Sequence, residues 1–240
     1  MNQSALHYLP IATTILSAVF AYIIFKRATI RNNAPHLLWW GTGVALYGLG
    51  TFTESWITLL GWNPVIFKTW YIAGALFGGA PLAQGTIWFL LRPKTAKILT
   101  ILFLGLAAIA SIFVIASPID YDLVEMHLPN GDVFVWQWVR LFSPFINTYA
   151  LIFLVGGAAL SAFRFAKVFR TSDNLIARDR FFGNVLIAAG ALLPGLGGIA
   201  SRMGETQWLY LGELVGIILI WLGFHLNVRR RDMIQKELVQ

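Results

Sequence analysis

The chain has no cysteine, which excludes disulfides, thiolate metal centres and cysteine nucleophiles. It is also short of charge: 12% of its 240 residues are Asp, Glu, Lys or Arg and 58% are hydrophobic, where a soluble domain carries roughly 25% charged residues. An ordinary water-soluble fold is thereby excluded. No Lys or Arg precedes the first apolar run, so that run is expected to stay as a membrane span rather than be cleaved as a secretory signal. The four histidines, His7, His36, His127 and His225, include no pair at the i, i+4 spacing of helical metal ligands. No nucleophile–base–acid set, phosphate loop or paired-carboxylate motif occurs. These absences point to neither an enzyme nor a bound cofactor or metal.

What remains is apolar sequence. Seven stretches, 8–25, 37–60, 67–92, 97–117, 141–166, 181–203 and 207–228, each approach or exceed the ~20 residues that cross a bilayer as helix. The expected fold class is an all-α integral membrane protein of seven transmembrane helices. Of the 18 basic residues, 15 fall in the segments after spans 1, 3, 5 and 7, and only Lys68, Arg140 and Arg202 fall on the other side. The positive-inside rule then puts the N-terminus outside and the C-terminus in the cytoplasm, as expected of a multi-pass protein of the plasma (inner) membrane. Sorted this way, the net charge of +7 suits anionic lipid head groups at the cytoplasmic face and not nucleic acid.

Three echoes run through the spans in the same order. Ser17-Ala18 with Phe25-Lys26 matches Ser161-Ala162 with Phe169-Arg170. Gly43-Val44-Ala45-Leu46-Tyr47-Gly48-Leu49-Gly50 matches Gly190-Ala191-Leu192-Leu193-Pro194-Gly195-Leu196-Gly197. Trp70, Gly74, Leu76 and Gly78 match Trp208, Gly212, Leu214 and Gly216. Such self-similarity reads as a duplicated three-helix unit. The chain then divides into repeat one at 8–92, a linker helix and external segment at 93–140, repeat two at 141–228 and a cytoplasmic tail at 229–240. Span 4 carries Ser111 as its interior polar side chain and has a topological role, giving a 3+1+3 plan with parallel repeats. Between spans 4 and 5, two strand-like runs flank Leu128-Pro129-Asn130-Gly131-Asp132, a turn signal that predicts an external β-hairpin over the outer mouth.

The 3+1+3 plan, the N-outside orientation and the length resemble SWEET-type sugar facilitators and, more loosely, microbial rhodopsins. The first resemblance implies a solute pathway between two three-helix repeats. The proline-glutamine motif of the wider SWEET superfamily is absent, and Pro10, Pro81 and Pro194 do not repeat between the halves. The last span, Trp208 to Asn227, has no lysine for a retinal Schiff base.

Ionisable residues inside spans are costly and mark candidate sites. Glu54 in span 2 and Glu213 in span 7, with Arg202 and Arg140 at span ends, form one expected polar cluster. Gly50, Thr51, Ile57 and Thr58 share the helical face of Glu54, which predicts that the carboxylate faces protein, with Arg202 as its partner. Tyr47, Gln84, Asn147 and Tyr149 form a second expected set near mid-depth, beside a helix break at Pro81; Pro194 is expected to kink span 6. Two functional readings follow. One is a facilitator or transporter of a small polar solute. The other is a receptor-like sensor or accessory subunit, with a membrane-protein partner or a second copy of the chain.

Overall fold

The computed structural model describes residues 5–172 and 174–237, and side chains for 6–172, 174–201 and 203–229. All regular structure among them is helical. In order these are α1 (Leu9–Ile30), α2 (Pro35–Leu60), α3 (Pro64–Trp70), α4 (Ala80–Leu90), α5 (Pro93–Ala116), α6 (Phe142–Ala150), α7 (Gly156–Ser172), α8 (Leu175–Arg202) and α9 (Thr206–Glu237). Proline opens α1 through α5, at a position where a missing N–H costs no helical bond. Asn63 and Asn174 cap α3 and α8 by accepting from two backbone N–H groups each. Gly61 and Gly204, at φ of 91° and 92°, turn the chain out of α2 and between α8 and α9.

Among the described residues, six helical stretches are long and apolar enough to cross a bilayer: Leu6–Ile30, Pro64–Leu90, Pro93–Ala116, Gln137–Ser172, Leu175–Ser201 and Thr206–Arg229. The remaining expected span, α2, is long enough at 26 residues but less apolar. Most of its hydroxyls and glycines, and Glu54, are buried against neighbouring helices, while Leu49, Phe52, Leu59 and Leu60 stay exposed.

The expected β-hairpin does not form. No strand occurs among the described residues, and 117–141 folds as short helical turns with one isolated antiparallel bridge, Ile119 to Phe134. Side chains have displaced the ladder. Asp120 accepts from the Asp122 N–H and Asn130 from the Asp132 N–H. The Gln137 amide donates to the carbonyls of Asp132 and Phe134. Local bonds of this kind compete with strand pairing.

The chain forms two compact units, Met1–Leu151 and Ile152–Gln240. The boundary falls at a π-helical segment, Leu151–Val155, within the Gln137–Ser172 stretch. In the first unit α2 packs on α1 and on α3–α4; in the second α8 packs on α7 and α9. Glycine sets the closeness. A methyl group at Gly48 would stand 2.9 Å from Ser17 Cβ, and one at Gly50 would stand 2.9 Å from Gly74 Cα. In the second unit Gly183, Gly190 and Gly197 recur every seven residues along α8. A methyl at Gly190 would stand 2.6 Å from the Gly216 oxygen, and one at Gly216 would stand 2.7 Å from the Gly190 oxygen. The α8–α9 contact is thus backbone on backbone, the arrangement small residues allow between membrane helices. Helix α8 runs unbroken through Pro194, whose ring lies against Gly216.

Candidate functional site

The third span is interrupted. After α3 the backbone widens into a π-helical segment, Tyr71–Leu76, where the Phe77 N–H donates to the Ile72 carbonyl at 3.1 Å. Helical geometry then lapses until Ala80. The sequence reading placed this break at Pro81. The structure moves it a few residues earlier, to the glycines Gly74, Gly78 and Gly79, and Pro81 instead helps to open α4. The polar backbone at the break is satisfied by α6. Ala75 O accepts from Ser143 Oγ at 2.9 Å and from Asn147 Nδ2 at 3.1 Å, and the same Asn147 nitrogen lies 3.0 Å from Ser143 Oγ. Irregular backbone at membrane depth needs such partners.

One turn into α4, Gln84 is fully enclosed. Its Oε1 accepts from the Tyr149 hydroxyl at 2.5 Å, and its Nε2 donates to Thr100 Oγ1 at 2.5 Å. Thr100 also accepts from Trp88 Nε1 at 2.9 Å and donates to Ala96 O at 2.8 Å. The Tyr149 ring stacks on Phe103, 5.9 Å between centroids with planes 2° apart. Thr100 corrects the expectation that Ser111 is the interior polar residue of the fourth span. That span, α5, supplies a member of the Gln84 network. The sequence signal was the hydroxyl itself, sixteen residues from Gln84 in an otherwise apolar run.

Glu54 sits in a second buried cluster on α2, 2% exposed. Its Oε1 accepts from Trp70 Nε1 at 2.8 Å. Trp70 was visible in the sequence as part of the third echo but not as a partner of the acid. Arg202, the expected partner, has its side chain outside the described residues. The expected helical face holds: Gly50, Thr51, Ile57 and Thr58 are buried, while Phe52, Trp56, Leu59 and Leu60 are exposed. Around Glu54, Thr51, Thr53 and Ser55 donate to carbonyls of their own helix. Above it, Phe134 of the 117–141 segment inserts beside Phe67 and Tyr71, 5.1 and 4.9 Å between centroids. His127 Nδ1 lies 3.2 Å from Thr58 O, and Lys68 Nζ donates to Ile115 O and Ser117 O at 2.7 and 2.9 Å.

Of the seven candidate residues, the structure therefore joins Gln84 to Tyr149 and sets Asn147 on the break in the adjoining helix. Tyr47 is buried on α2, and Glu213 is half-buried on α9 in the second unit. Arg140, expected beside the glutamates, bonds Asp132 and Gln137 in the loop. No family model, curated protein or solved structure matches the chain.

Proposed function

We propose that this chain is a facilitator or transporter of a small polar solute. In this reading it has seven membrane helices, α2 included, arranged as two parallel three-helix repeats joined by α5. It lies in the plasma membrane with the N-terminus outside and the C-terminus in the cytoplasm. The observation that carries the reading is the interrupted third span, with its π-helical turn, its carbonyl held by Asn147 and Ser143, and Gln84 buried just beyond. Broken helices beside polar groups at mid-depth are where transporters place solutes, and π-helical turns concentrate at functional sites. The matched helix neighbours and glycine contacts of the two units support the duplication. Reconstitution into vesicles and uptake of labelled sugars, amino acids and ions tests the proposal. Flux of at least one solute, lost in Gln84→Leu while the protein still folds, is the expected result. No flux above empty vesicles across the panel overturns it.

One observation favours the second reading, a sensor or accessory subunit. Helix α9 continues past the end of its apolar stretch at Arg229 as far as Glu237, a rod able to carry movement to a partner. Co-purification in mild detergent separates the readings: a partner at fixed stoichiometry, together with no flux, selects the second.

A further inference from the structure

The segment after the isolated bridge is two-faced. Val133, Phe134 and Val139 are buried against the first unit, whereas Val135, Trp136, Trp138, Leu141 and Phe145 are exposed. The exposed rings form a continuous ladder with the end of α5. Trp136 stacks on Trp138 at 6.2 Å and 18°, Trp138 meets Phe113 edge-on at 4.8 Å, and Phe113 stacks on Phe142 at 6.2 Å and 13°. The ladder joins two apolar faces left exposed among the described residues, that of α5 at Ile112 and Ile115 and that at the start of α6 at Leu141 and Phe145. From Phe134 to Phe145 the only charged residue is Arg140. Its guanidinium folds back onto Asp132 and onto Gln137 Oε1. The one charge of this stretch is thereby drawn to its Asp132 end, away from the rings.

We infer that 135–145 lies in the bilayer interface, with the Trp136–Trp138 ladder inserted at the head-group boundary and Phe134 plugging the helix ends from the opposite side. The occupant of the exposed face is lipid. Indole rings favour that depth because one edge stays polar while the body is apolar. The acidic residues Asp120, Asp122 and Glu125 precede the ladder and stay on the aqueous side. The segment thereby couples the helix ends around Glu54 to the membrane surface, so its position answers to the lipid as well as to the protein.

The absence of cysteine makes single-site labelling of the full chain direct. Nitroxide labels are placed by Val135→Cys, Trp138→Cys and Leu141→Cys, with Asp122→Cys and Ile109→Cys as aqueous and hydrocarbon references. The protein is reconstituted in phosphatidylcholine vesicles, and collision with oxygen and with a water-soluble nickel chelate is measured by electron paramagnetic resonance. The expected result is a ratio of oxygen to chelate collision at 135, 138 and 141 that lies well above that at 122 and approaches that at 109, as a site at the head-group boundary requires. A ratio at 138 and 141 no higher than that at 122 overturns the inference. So does protection from both reagents, which would mean protein and not lipid covers the ladder. Positions 135 and 141 lie outside the ring stack, so they report even where Trp138→Cys disturbs folding.

Discussion

The Gln84 network offers a clean perturbation, because Tyr149→Phe deletes one hydroxyl and nothing else. The ring keeps its stack on Phe103, 5.9 Å between centroids and 2° from parallel. What is lost is the 2.5 Å bond to Gln84 Oε1, an acceptor on a side chain with no exposed surface. A buried acceptor left unsatisfied costs about 1–3 kcal/mol in soluble proteins, and interhelical bonds in membranes sit at the lower end, so about 1–2 kcal/mol is expected here. For a chain of this size each kcal/mol moves the melting point by roughly 2–4 °C, giving a fall of about 2–8 °C in a circular-dichroism melt in detergent. The double variant decides the mechanism. Gln84→Leu removes the acceptor 2.5 Å from the Tyr149 hydroxyl, so Tyr149→Phe should cost less in the Gln84→Leu background than it does alone. An unchanged melting point in Tyr149→Phe, or additive losses in the double variant, would refute the claim that the two residues stabilise the fold as one pair.

The α8–α9 seam gives a paired test in the same melt. Gly190→Ala puts a methyl 2.6 Å from the Gly216 oxygen and should cost about 1–3 kcal/mol. Gly195→Ala, on the same helix with no atom within 4 Å of the new methyl, should be neutral or stabilising; equal losses at both sites would sink the close-packing argument. At Glu54, the Gln variant keeps an acceptor for Trp70 Nε1 and the Leu variant does not. Glu54→Leu should therefore melt below Glu54→Gln, and coincident curves would show that the indole bond contributes nothing measurable.

How much of this was legible in the sequence follows from what each signal depends on. Span existence depends on local composition, and six of the expected spans stand as apolar helices. The inward face of Glu54 depends on helical periodicity alone, and it too was readable. The 117–141 segment was misread because alternation and a Pro129-Asn130-Gly131 turn specify a hairpin only where the backbone groups remain available to pair. Here the side chains of Asp120, Asn130 and Gln137 took them first, a competition no period-2 pattern registers. Thr100 and Trp70 were not legible as partners for another reason. Each is ordinary in its own span, and its importance is a property of the residue it meets sixteen positions away.

The echoes themselves carry the last step. On the duplication reading, Trp70 and Trp208 are the same residue of the two copies, yet their surroundings differ. Trp70 turns its indole N–H onto a buried carboxylate. Trp208 is 55% exposed, and the position matching Glu54 is Ser201. The third helix differs as well: α3 gives way to a π-helical turn before Gly78, while α9 runs straight through Gly216. An acid buried in membrane is expensive and so is a broken span; Glu54 and the Tyr71–Leu76 turn lie in the first copy, while the second holds the half-buried Glu213 and the π-helical Leu151–Val155. Close glycine packing, which any pair of such helices would use, is common to both. Acidic side chains within spans and π-helical turns therefore occur in both copies, whereas the indole–carboxylate bond of Trp70 and Glu54 cannot recur where the matching position is Ser201.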